Sequence, residues 1–111
     1  MVGGLSSQEE RVVQTFATRV REQFPDEVRD VLLFGSKARN DHHADSDIDI
    51  LVISRSDDWR LHDEIRQVGY ELDENIDFRL SIQVVSEQRF ENARKRQFQF
   101  ATSVLVEGIR V

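Results

Sequence analysis

Two short segments of the 111-residue chain carry residue types at spacings that could do chemistry. They are Leu33-Phe34-Gly35-Ser36-Lys37-Ala38-Arg39 and Ser46-Asp47-Ile48-Asp49-Ile50. Gly35 has no Cβ, so backbone can approach a ligand closely there. The amides that follow it would open a helix, where free N–H groups and the dipole favour an anion. Ser36 adds a hydroxyl donor, and the parts together make a phosphate site. Ten residues after the Gly-Ser pair come two carboxylates, Asp47 and Asp49, which a strand places on one face because its period is two. Such carboxylates are hard oxygen ligands suited to Mg²⁺ held jointly with substrate phosphates. A phosphate turn beside a divalent-metal pair is the equipment of phosphoryl or nucleotidyl transfer. No G-x-x-x-x-G-K-[ST] run is present, nor a dinucleotide-binding fingerprint.

The elements that must position these residues are legible in outline. Ser6-x-x-Glu9 and Ser7-x-x-Glu10 have capping-box spacing. Val12, Val13, Phe16, Val20 and Phe24 then form one apolar helix face, which Pro25 ends. Val31–Phe34, closed by Gly35, reads as a buried strand, Ser36–Arg39 as a first helical turn and Asn40–Ser46 as a loop. Asp47–Ser54 reads as a second strand. A helix follows from Asp57 or Asp58 to Leu72, with Trp59, Ile65, Val68 and Leu72 as its apolar stripe and His62 on its surface. Ile76–Val85 reads as a third strand, with Leu80, Ile82 and Val84 facing one way and Asp77, Arg79, Ser81 and Gln83 the other. Ser86 is an N-cap for a further helix, and Phe98, Ala101, Val104 and Leu105 continue helical structure to a C-cap at Gly108, before a terminal strand at Ile109–Val111. The order predicts an α/β (α+β) fold, a small mixed sheet flanked by helices, as one domain over residues 1–111.

Composition bounds the setting. With 15 Lys+Arg against 21 Asp+Glu, the formal charge is −6, which argues against a broad basic surface for nucleic acid. There is no Cys, hence no disulfide framework, thiolate metal site or Cys nucleophile. No apolar run approaches the roughly 20 residues that span a bilayer, and no secretory signal is visible, so a soluble cytoplasmic protein is expected. His42 and His43 read as solvated loop residues. Arg89, Arg94, Lys95 and Arg96 read as a solvated helix face. Phe90, Phe98 and Phe100 exceed what a thin sheet can bury, which predicts an exposed apolar face for a partner or a second copy.

Gly35-Ser36, ten residues, then Asp47-Ile48-Asp49 resembles the signature of the minimal nucleotidyltransferases of the DNA polymerase β superfamily. Ala38-Arg39 after the turn, Ser46 before the first Asp and the Glu107-Gly108-Ile109 ending fit the same pattern, so the resemblance covers most of the chain. It implies a polymerase β-like nucleotidyltransferase fold, ATP or another nucleotide as donor and two Mg²⁺ ions. Stand-alone members act as antitoxins of toxin–antitoxin pairs, transferring AMP to a tyrosine of a helical HEPN-type toxin. The resemblance thus implies a protein adenylyltransferase with a HEPN-type partner; the apolar surplus adds a homo-oligomer as an alternative, and charge and hydropathy leave neither membrane nor nucleic acid as an expected direct partner.

Carried over residue by residue, the resemblance makes Asp47, Asp49 and Asp77 the metal-binding and catalytic carboxylates. Asp77, in Asn75-Ile76-Asp77-Phe78-Arg79-Leu80, is also the natural general base for the attacking hydroxyl. Gly35, Ser36, Lys37 and Arg39 become nucleotide-binding. A second alignment puts Ser81 at the third position, in which case a carboxylate is missing and the module binds nucleotide or a partner without catalysis. Asn40 stands where the family has Gly, a mild change because Asn tolerates left-handed backbone.

Overall fold

The computed structural model describes residues 4–35, 38, 47–73 and 79–111. Helix α1 spans Ser7–Gln23. Its capping box is the one at Ser6: Glu9 N–H donates to Ser6 Oγ at 3.1 Å, and Ser6 N–H donates to Glu9 Oε1 at 2.8 Å. Val13, Phe16, Ala17 and Val20 are buried at helical spacing, and Phe24 N–H closes the last turn onto Val20 O at 2.9 Å, just before Pro25.

Strand β1 runs Val28–Phe34, three residues longer than its apolar run suggests. A register irregularity between Val28 and Asp30 interrupts the alternation there, so the hydrophobic pattern hides the strand's start. Strand β2, Ile48–Ser54, pairs antiparallel with β1 and parallel with β3, Leu80–Ser86. A two-residue β4, Ile109–Arg110, lies antiparallel on the far side of β1, giving the order β3-β2-β1-β4. The parallel β2–β3 pair requires a crossover, supplied by helix α2, Trp59–Asp73. Helices α3, Glu87–Lys95, and α4, Gln99–Glu107, complete the chain.

The sheet is covered on both faces. On one, α1 and α2 pack Val13, Phe16, Val20, Ile65 and Val68 onto Val31, Leu33, Ile48, Ile50, Val52 and Leu80. Gly69 brings α2 so close to β3 that a Cβ there would collide with the Ile82 side chain. On the other face, Leu51 and Ile53 meet Phe90 of α3 and Ala101 and Val104 of α4. No helix among the described residues is long and apolar enough to cross a membrane.

Several expectations need correction. Trp59 is not part of the α2 stripe; it is 66% exposed in the first turn, with the Arg60 guanidinium 5.5 Å from its ring centroid. His62 is not on the surface but buried, its Nε2 2.9 Å from both Ser54 Oγ and Ser56 O. Ser54 Oγ itself donates to Ser56 O at 2.6 Å. A carbonyl only accepts, so Nε2 is assigned a hydrogen, which it donates to Ser56 O. The late helical stretch is two helices, broken where Gln97 takes a left-handed φ of 58°. Ser86 does cap α3, accepting from Arg89 N–H at 3.2 Å. Gly108 ends α4 with its N–H on Val104 O at 2.8 Å, although its φ of −65° is not left-handed.

Candidate functional site

The site grows from the point where β1 ends and β2 begins. Gly35 follows β1 with φ of +75°, a conformation in which any side chain is strained. A Cβ added there would run into Oδ2 of Asp49 and lie 3.2 Å from its Cγ. The glycine backbone is therefore packed against the Asp49 carboxylate. Register explains why: Phe34, the last residue of β1, is level with Asp49 on β2. Fourteen intervening residues separate them in the chain, yet the antiparallel ladder returns the carboxylate beside the turn. Asp49 is half-buried, whereas Asp47, just before β2 begins, is exposed.

The neighbouring strand adds a polar pair. Ser81 of β3 is level with Asp49 in the parallel register, and paired residues share a face. Ile48 N–H donates to Arg79 O at 2.9 Å, which sets Arg79 beside the start of β2, close to Asp47 in register. The described part of the site thus contains Gly35, Asp47 and Asp49 from the predicted set, with Ser81 alongside. Ser36, Lys37, Arg39 and Asp77, like His42 and His43, lie outside the described residues. Ala38, half-buried, packs against the core. Among the described residues no group of three or more His, Asp or Glu is assembled for a metal.

An aromatic pair borders the carboxylate, and the sequence reading passed over it as a site feature. Phe34 shares the face of Asp49, and Phe100 of α4 meets Phe34 edge to face, ring centroids 5.8 Å apart at 88°. The signal available in the sequence was position alone: Phe34 immediately precedes Gly35.

The opposite end of β2, about 20 Å away along a seven-residue strand, holds an open cleft of about 550 Å³ near Phe24, Ser56 and Leu61. Its charged lining is Asp26, Glu27, Asp58 and Glu64 against one Arg60, a surplus of carboxylates unsuited to a polyphosphate. The late basic cluster is a solvated, ion-paired face as expected: Arg89 bridges to Asp57 at 3.0 Å and Arg94 to Glu91 at 2.7 Å. The hydrogen bond from Arg94 holds the Glu91 carboxyl below its ordinary value.

The described geometry is a left-handed glycine packed against a strand carboxylate, at one end of a mixed sheet crossed over by α2. Residues 13–105 match the model of the nucleotidyltransferase domain family, and the chain belongs to that family. A Methanocaldococcus jannaschii protein named as a candidate protein adenylyltransferase is 35% identical over 49 residues, which span 44% of this chain and 49% of that relative. Solved structures share the fold. A candidate nucleotidyltransferase from Sulfolobus solfataricus has a TM-score of 0.54 at 20% identity, covering 90% of this chain and 76% of its own. A toxin–antitoxin complex with AMP-PNP gives 0.55 at 22% identity, covering 91% and 70%. A mutant MntA-HpeT toxin–antitoxin complex gives 0.56 at 17% identity, covering 88% and 70%.

Proposed function

We propose that this protein is a Mg²⁺-dependent nucleotidyltransferase, acting in the cytoplasm, that moves AMP from ATP to a hydroxyl of a protein partner, as the antitoxin paired with a HEPN-type toxin. The observation that carries this reading is the packing of the Gly35 backbone against the Asp49 carboxylate. It puts a turn able to approach phosphates beside a hard oxygen ligand. The names of the M. jannaschii relative and of the toxin–antitoxin structures point the same way.

In this reading Gly35, Ser36, Lys37 and Arg39 hold the triphosphate, while Asp47, Asp49 and Asp77 hold Mg²⁺. The donor set fits that ion: hard carboxylate oxygens, with phosphate oxygens to complete the shell. Two bound Mg²⁺ ions would neutralise charge on the transferred group and on the departing pyrophosphate. Asp77 takes the proton of the attacking hydroxyl as its oxygen bonds to the α-phosphorus and the bond to pyrophosphate breaks. The acceptor comes from another polypeptide, or from a second copy of this chain. Asp47→Ala with Asp49→Ala is expected to reduce Mg·ATP affinity at least tenfold in calorimetry with the fold intact. Equal affinity of the double variant and the parent protein would refute the site.

A second reading is favoured by one observation: Ser81, not a carboxylate, is level with Asp49. If Ser81 holds the third position, the protein is a non-catalytic module that binds nucleotide, or neutralises its partner by contact alone. Transfer of labelled AMP to the cognate partner separates the two readings. Transfer abolished by Asp77→Asn supports catalysis through Asp77. Absence of transfer by the unaltered protein supports the module.

A further inference from the structure

We propose that Phe100, backed by Phe34, is the platform on which the base of the bound nucleotide rests. The inference deepens the nucleotide-binding reading and rests on it. Phe34 stands on the strand next to Asp49, one strand spacing or about 4.8 Å away, with its side chain on the same face. Phe100 meets Phe34 edge to face at 5.8 Å, an arrangement that fixes both rings. An anionic end and an apolar end of one site are thereby juxtaposed: carboxylate and glycine turn first, then two aromatic rings.

Among the exposed apolar side chains of α4 and its N-cap, Phe100 is the one whose ring meets Phe34, level with Asp49. Phe90, on the same sheet face, is 5% exposed, and Ala101 and Val104 of the same helix are 0% and 3%. Phe100 sits within this packed neighbourhood yet remains 37% exposed, at the end of the face that carries the carboxylates. With Mg²⁺ held between the carboxylates and phosphate oxygens, as the proposed function requires, a molecule with a polyanionic head and a flat, polarisable body fits both ends at once, and a nucleoside triphosphate is such a molecule. A heterocyclic base stacks on an aromatic ring through its π-face, so the contact tolerates any base. Phe100 would then add affinity common to all nucleotides, and base preference would have to be set elsewhere.

The test separates the base from the phosphates. Calorimetry is run with Mg·ATP and with Mg·tripolyphosphate, which carries the anionic head alone. The unaltered protein should bind ATP roughly tenfold more tightly than tripolyphosphate, within the range of base–aromatic stacking. Phe100→Ala should lose that preference and leave tripolyphosphate affinity unchanged; Phe100→Leu, which keeps apolar packing, should do the same. Phe100→Trp should restore the preference, and its indole emission should be quenched by ATP but not by tripolyphosphate. An undiminished ATP preference in the Ala and Leu variants would overturn the platform while leaving the phosphate site standing. Loss of AMP transfer to a protein partner with ATP affinity unchanged would also overturn it, assigning Phe100 to the partner instead. If the unaltered protein binds neither probe, the nucleotide site itself falls, and the platform with it.

Discussion

A single absent methyl group decides the geometry of the site. Gly35 combines a left-handed φ with a position where any Cβ would strike the Asp49 carboxylate. The two costs are separable. Left-handed backbone costs an L-residue roughly 1–2 kcal/mol, and the collision adds to it. Gly35→Ala should therefore destabilise the protein by about 2–3 kcal/mol. In an Asp49→Ala background the cost should shrink to the backbone part alone, and a double-mutant cycle from urea melts would report the difference as coupling. This meeting of Gly35 and Asp49 was legible from sequence because each residue borders an apolar run whose strand parity is clear. The buried Ser54–His62 pair was not. Helical period does place His62 three residues before Ile65, on the buried stripe, but its residue type points to the surface. Ser54→Ala should cost about 1 kcal/mol, because the buried His62 ring and the half-buried Ser56 carbonyl are each left with one partner fewer. Chemical denaturation checks it, and no change would mean that the ring turns to another acceptor.

Helix ends differ in how well their sequences specify them. The α1 capping box leaves little ambiguity, and Ser6→Ala should cost about 1 kcal/mol in thermal or urea melts. By contrast the N-cap of α4 is Phe98, whose side chain makes no capping hydrogen bond and is 52% exposed. Phe98→Ser should thus stabilise the protein by about 0.5–1 kcal/mol, an unusual gain from removing an aromatic residue. A loss instead would mean that the exposed ring packs more than its area suggests. The α3–α4 break escaped the sequence reading for a related reason: neither Gly nor Pro marks it, only Gln97 in a left-handed conformation. In α3, the Glu91 carboxyl is lowered by Arg94, so its small contribution is present at neutral pH and fades as pH falls through the lowered value. The pair lies at the solvent-exposed surface, so Glu91→Gln should leave the melting temperature unchanged at physiological salt.

At the scale of the whole molecule, apolar surplus late in the chain was the legible feature, and its distribution was not. Phe90 is swallowed by the second sheet face, while Phe98, Leu105 and Val106 are left 52%, 56% and 78% exposed. Composition counts apolar residues, but only the α4 docking angle decides which of them the sheet can reach. The mixed sheet itself followed from element order, and the register that sets Ser81 beside Asp49 did not, because parallel strands share no turn that fixes their alignment.

The narrow contribution of β4 has a consequence in time. Ile109 pairs with Leu33, about 76 residues earlier, whereas Phe34 meets Asp49 across only 15. Closing the longer loop costs about 1.4 kcal/mol more chain entropy, for a strand of two residues. The edge should therefore form after the rate-limiting barrier, once β1 and β2 have joined. Ile109→Ala, a loss of about 1.5 kcal/mol at a half-buried position, should quicken unfolding roughly tenfold and leave refolding nearly untouched. Val52→Ala, in the centre of the sheet, should slow refolding instead. Stopped-flow chevrons of the two variants would show the contrast, and a slowed refolding limb for Ile109→Ala would reverse the order. The sheet's outermost strand acts as a latch: it governs how long the native state lasts, and has little say in how quickly it is reached.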